Sequence, residues 1–201
     1  MAETKKVILD AGHGGTTDPG AVYQGRQEKN DNLRMALAVG QILSEDGVDV
    51  GYTRVQDVYQ SPLQKAQMAN NWEADYFVSF HRNAMPVPGT ASGTESLIFS
   101  RGGEAEQLAS NINAELGQAG WNDLGTTERP GLIVLRKTEM PAVLVEVGFL
   151  DNPEDNQRFD AHFEHTARAI ADGILNTLRS PEGQPEYYQI QVGAYADKDL
   201  A

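Results

Sequence analysis

Apolar and polar positions follow two rhythms along this chain. Short stretches that are apolar on both faces read as fully covered strands: "VILD" within residues 5–12, "DYFVSFH" at 75–81 and "PAVLVEVGF" at 141–149. "VDVGYTR" at 48–54, "TESLIFS" at 94–100 and "LIVL" at 132–135 predict three more strands. Between them, apolar residues recur at three- and four-residue spacing. Leu33, Ala36, Leu37, Gly40 and Leu43 mark one helical face, which Gly47 closes. Ala105, Leu108, Ala109, Ile112 and Leu116 mark a second. Phe163, Ala167, Ile170, Ala171, Ile174 and Leu178 mark a third. Ser61 before Pro62, and Asn152 before Pro153, are N-cap signals for two further helices. Strands alternating with helices predict an α/β fold with a central, mainly parallel, twisted sheet of about six strands and helices on both faces.

A chain of 201 residues suits one domain with a short appendage. Residues 1–179 hold all the expected helices and the six sheet strands and form the expected main domain. "SPEGQPE", 180–186, has the composition of a linker. "YYQIQVGAYADKDLA", 187–201, alternates like a strand and then stops, as the truncated start of a second module or a tail.

The formal charge is −13, from 29 acidic and 16 basic residues. No cluster of Lys and Arg provides a nucleic-acid footprint, so nucleic acid is excluded as a partner. Without an apolar run of about 18 residues, membrane insertion is not expected. The apolar part of "MAETKKVILDAG" is a four-residue strand inside a motif, not the core of a signal peptide. There is no cysteine, which rules out disulfides and Cys-based zinc sites.

Three ionisable residues stand at the ends of apolar strands: His13 beyond "VILD", His81 after "YFVSF" and Glu146 after "AVLV". In a parallel sheet those ends share one edge, where open α/β folds build their sites. The chain has 4 histidines, and two are in this set. Two imidazoles and a carboxylate form a three-ligand zinc site with a fourth position left for water. Glu28, between the glycine loop and the first helix, can return to that edge, although "RQEKND" also reads as a solvated loop. Glu146 is then available as general base. An acid inside "VLVEVGF" is costly to bury unless paired or metal-bound. His162 and His165 are spaced like ligands, but they flank the polar side of a buried helical face and are expected at the surface. Gly12, Gly14 and Gly15 lack the lysine of a phosphate loop and read as backbone freedom around His13.

Four blocks carry a family resemblance: "ILDAGHGGTTDPGA", "EKNDNLRMA", "SFHRNA" with "GTES" just after, and "TEMPAVLVEVGFLDN". Their order is similar to that of the zinc-dependent N-acetylmuramoyl-L-alanine amidases, amidase type 3, over roughly residues 7 to 178. The resemblance implies Zn2+ on His13, Glu28 and His81, with Glu146 as the catalytic glutamate. It implies a peptidoglycan hydrolase that cleaves the amide between N-acetylmuramic acid and the L-alanine of the stem peptide. It also implies extracytoplasmic action on the cell wall, as an autolysin or sporulation enzyme; separately, a monomer is expected. The 187–201 tail resembles the opening of a sporulation-related, wall-binding repeat. Asn83 is a candidate substrate contact, and the cleft is expected to be open. Two other readings compete: a non-catalytic wall-binding or regulatory protein on the same fold, and a zinc peptidase cutting within the stem peptide.

Overall fold

The computed structural model describes residues 4–179, so the expected linker at 180–186 and the tail at 187–201 lie outside the described residues. In chain order the elements are β1 (Lys6–Ala11), β2 (Val22–Tyr23), β3 (Arg26–Gln27), α1 (Glu28–Glu45), β4 (Asp49–Tyr52), α2 (Pro62–Asn71) and β5 (Tyr76–Asn83). They continue as β6 (Thr94–Ile98), α3 (Gly103–Gln118), β7 (Asp123–Glu128), α4 (Ile133–Arg136), β8 (Ala142–Phe149), α5 (Pro153–Ala161) and α6 (Phe163–Arg179). The two N-caps form as expected. Ser61 makes a reciprocal capping box with Gln64, and the Asn152 side chain accepts from the backbone N–H of Glu154 and Asp155.

The main sheet has six strands in the order β4-β1-β5-β8-β6-β7. β4, β1, β5 and β8 are parallel, whereas β6 meets β8 antiparallel and carries β7 parallel to itself. From β1 the chain first pairs outward with β4, then returns to pair β5 on the other side of β1. The strand order therefore reverses between β1 and β5, which opens a crevice at their carboxyl ends.

Helices cover both faces, unequally. Residues of α1, α3 and α6 build the larger core with Val7, Leu9, Val78, Phe80, Val143 and Val145. α2 and α4 build the smaller one with Ile8, Phe77, Ala142 and Leu144. Strand alternation extends that smaller stripe through Ser79 to His81 in β5, and from Leu144 to Glu146 in β8. The reactive side chains thus continue a core stripe past the point where its helical cover ends.

Two expectations need correction, and one strand had no counterpart in the sequence reading. "LIVL" is not a strand: Ile133–Arg136 is a single helical turn, α4. Both edges of β8 are already taken by β5 and β6, so no pairing edge remains there, and Val134 and Leu135 bury instead against α2. "DLGTTE" forms β7, although its polar, glycine-containing sequence gives no strand signal; it is an edge strand and buries little. In α1 the buried face runs through Met35, Ala36, Val39, Gly40 and Leu43, and Leu37 faces solvent.

Candidate active site

His13 follows β1 in a left-handed conformation, with φ 61. The loop around it is gripped by buried cations. Arg54 donates to the carbonyls of Ala11 at 3.0 Å, Gly12 at 3.0 Å and Lys29 at 2.8 Å. Lys65 donates to Ala11 O at 2.7 Å and pairs with buried Asp10 at 2.8 Å. Asp10 also accepts from Thr53 and Ser79, which ties β1 to its neighbours just below the site. Burial alone would raise the Asp10 pKa, but Lys65 and the two hydroxyls outweigh it and hold the carboxyl below its ordinary value.

Glu28 opens α1, where the helix dipole favours an anion. Its Oε1 accepts from His81 Nδ1 at 2.9 Å, Arg82 N at 3.1 Å and Asn32 Nδ2 at 3.2 Å. Its Oε2 accepts from Ala21 N at 2.8 Å and lies 3.2 Å from His13 Nε2. Burial opposes the charge on Glu28, yet the two imidazoles overcome it and hold the carboxyl far below the usual carboxylate range. Burial likewise lowers the His13 pKa, but Glu28 and Asp18 raise it further, for a net increase. Asp18 Oδ1 sits 2.7 Å from His13 Nδ1, so the other ring nitrogen is turned toward Glu28. Arg82, pushed down by burial to about 10, stays charged at neutral pH and pairs with Asp31 at 2.6 Å.

The ligand atoms of His13, Glu28 and His81 lie within 4.8 Å of one another, and among the described residues no other group has this form. The space between them is kept by glycines. A Cβ at Gly12 would strike His81 Nε2, and one at Gly20 would lie 2.5 Å from Glu28 Oε2. Two nitrogens, one carboxylate and a second carboxylate fixing the tautomer of one imidazole fit the donor set of a zinc ion. His162 and His165 are exposed and take no part.

Glu146 is the fifth of eight residues in β8 and the register partner of both His81 in β5 and Glu95 in β6. Its Oε2 is buried with no hydrogen-bond partner among the described residues. Burial pushes its pKa up to about 7; Glu28 and Glu95 add to the rise, against His81 and His13. Asn83, in contrast, turns its side chain onto the neighbouring backbone N–H of Ala84.

His13 and His81 line a cleft of about 350 Å³. Its lining combines polar Asp10, Gln60 and Lys65 with aliphatic Leu132, Ile133, Val134 and Leu144. A second hollow of about 330 Å³, beside Trp121 and α5, contains none of these residues. Such an arrangement can hold a divalent cation beside a carboxylate of raised pKa, the requirement for metal-assisted hydrolysis. Sequence reading missed Asp10, Asp18, Gly20, Asn32, Arg54 and Arg82. Asp10 and Arg82 carried a usable signal, a charge inside or beside an apolar strand.

A family model described as N-acetylmuramoyl-L-alanine amidase matches residues 7–176. The sporulation-specific N-acetylmuramoyl-L-alanine amidase of Bacillus subtilis is 35% identical over 200 residues, covering 96% of this chain and 76% of that protein. An N-acetylmuramoyl-L-alanine amidase from Clostridium difficile superposes with a TM-score of 0.84 at 33% identity, over 90% of this chain and 99% of that one. The catalytic domain of CwlV from Bacillus (Paenibacillus) polymyxa gives 0.80 at 36% identity, over 87% and 98%.

Proposed function

This chain belongs to the N-acetylmuramoyl-L-alanine amidase family, and we propose that it hydrolyses the amide joining N-acetylmuramic acid to the stem-peptide L-alanine of peptidoglycan. In this reading His13, Glu28 and His81 hold Zn2+. Zinc bound there supplies a water of pKa about 7 and polarises the scissile carbonyl.

The remaining work falls to the chain's own groups. Asp18 fixes the His13 tautomer through Nδ1, which leaves Nε2 as the nitrogen that would bind the metal. The backbone N–H groups of Ala21 and Arg82, with Asn32, fix both oxygens of Glu28. Glu146 takes the proton of the attacking water and delivers it to the leaving nitrogen of alanine. Leu132, Ile133 and Val134 give the cleft an aliphatic lining beside the two histidines. All four reactive side chains come from one copy, so a monomer is a complete catalyst. Its place of action is the cell wall, outside the cytoplasmic membrane. Among the described residues, no helix is long and apolar enough to cross a membrane.

The observation that carries the reading is Glu146, a partly buried carboxylate without a protein partner for Oε2, set in register with His81. A wall-binding protein has no use for such an acid. Mass spectrometry of a peptidoglycan digest tests the bond assigned. Intact stem peptides beginning with alanine, without new reducing sugar ends, are expected. Fragments cut within the stem would make the protein a peptidase instead.

A further inference from the structure

The loop between β4 and α2 has no regular secondary structure, yet it is fixed to the loop that presents His13. Arg54, buried, bonds across to the His13 loop as described above. Asp57 accepts from Gly15 N at 2.8 Å and from Lys29 Nζ at 2.6 Å. Gln60 closes the loop on Thr53 O at 2.6 Å and lines the cleft. The two loops also touch through their backbones. A Cβ on Gly14 would strike Val58 O, and one on Gly15, at φ +70, would lie 2.9 Å from Tyr59 Cβ.

On this fixed support three apolar side chains stand in water beside the exposed Gln56 and Asp57. Val55 is 61% exposed, Tyr59 53% and Val58 38%. An apolar group held in water on a rigid loop beside a catalytic cleft marks a contact surface. We propose that Tyr59, flanked by Val55 and Val58, is the platform for a sugar ring of the glycan strand, an N-acetylated hexosamine next to the scissile bond. This rests on the amidase reading, in which the substrate is half glycan and half peptide. The platform outside the cleft and the cleft lining then receive unlike halves. The wall of Leu132, Ile133 and Val134 is aliphatic and has no aromatic ring, which suits a short peptide with an alanine methyl. Tyr59 offers a flat ring to the C–H face of a pyranose and leaves its hydroxyls in water. The platform presents no free charge of its own, because the one acid in the loop, Asp57, is already bonded to Gly15 and Lys29. A largely uncharged polymer face is what a chain of net charge −13 can approach without repulsion. Fixing the loop in advance removes the ordering cost of binding. Three side chains are too few for the roughly 800 Å² per partner that a stable dimer buries.

Titration of the zinc-loaded full chain with stem-free glycan strands tests the proposal, alongside KM on intact peptidoglycan. Tyr59→Ala should weaken glycan affinity and raise KM about tenfold, with kcat and zinc content unchanged. Tyr59→Phe should keep both within about twofold. Equal affinity and KM in Tyr59→Ala overturns the platform. So does a parent protein that binds no glycan, or a Tyr59→Ala variant whose one change is a lost dimer in sedimentation. A parent that binds glycan through Tyr59 but releases no alanine-ended peptide supports the platform and defeats the amidase reading separately.

Discussion

From Ala142 to Val145 every residue of β8 is apolar and buried, and the next position is Glu146. A carboxylate there is disfavoured by burial and by Glu28 and Glu95, and its pKa rises to about 7 from the ordinary 4.5. The sign of the consequence follows from proton linkage. In metal-free protein the folded state holds this proton more tightly than the unfolded chain. Stability therefore falls as pH rises through the interval between the two values, by at most about 3 kcal/mol. Glu146→Gln removes that loss. Urea melts of the metal-free proteins should show the variant gaining on the parent from about pH 5 to about pH 8. A difference that does not change with pH would contradict the assignment. The glycines make a complementary prediction. Gly12→Ala puts a methyl against His81 Nε2, so metal affinity should fall about 10- to 100-fold, the loss expected when a ligand's support is removed. Metal content after dialysis at limiting zinc reads this directly, and full occupancy would oppose it.

At the scale of elements, the capping box of α2 is a local device with an effect on the site. Ser61 and Gln64 satisfy the first turn of the helix that carries Lys65 to Asp10 and Ala11 O. Ser61→Ala should cost about 1 kcal/mol of stability, measured in denaturant. Both N-caps were legible in sequence, because Ser-Pro and Asn-Pro are local signals. So were the strands β1, β5 and β8, whose uniform apolarity reflects cover on both faces. α4 and β7 were not legible, and for one reason. Four apolar residues fit a strand or a helical turn equally well, and only the occupied edges of β8 decide for the turn. Polar "DLGTTE" pairs because β6 offers it an edge, not because its residues favour a strand. Leu37 lies off the buried face of α1 because that face runs through Met35 and Val39.

For the whole molecule, His13, His81 and Glu146 could be placed together in sequence because strand ends in a sheet share an edge. Glu28 needed more, since its return to that edge depends on the 12–27 loop. That loop is held by Arg54, Asn32 and Lys29, contacts between residues distant in sequence and invisible to periodicity. The same contacts would couple the fold to an ion held by His13, Glu28 and His81. Removing zinc with a chelator should lower the melting temperature, and adding it back at about 100 times Kd should restore about 2.7 kcal/mol. An unchanged melt would place the metal elsewhere. In the proposed mechanism Glu146 acts as the base beside a metal it does not hold. Release of alanine-ended stem peptides by Glu146→Gln, with zinc content determined on the same sample, tests it most directly. Full zinc occupancy with the rate reduced about 10²- to 10⁴-fold is expected. A variant that keeps its zinc and its rate, or loses both together, would contradict it.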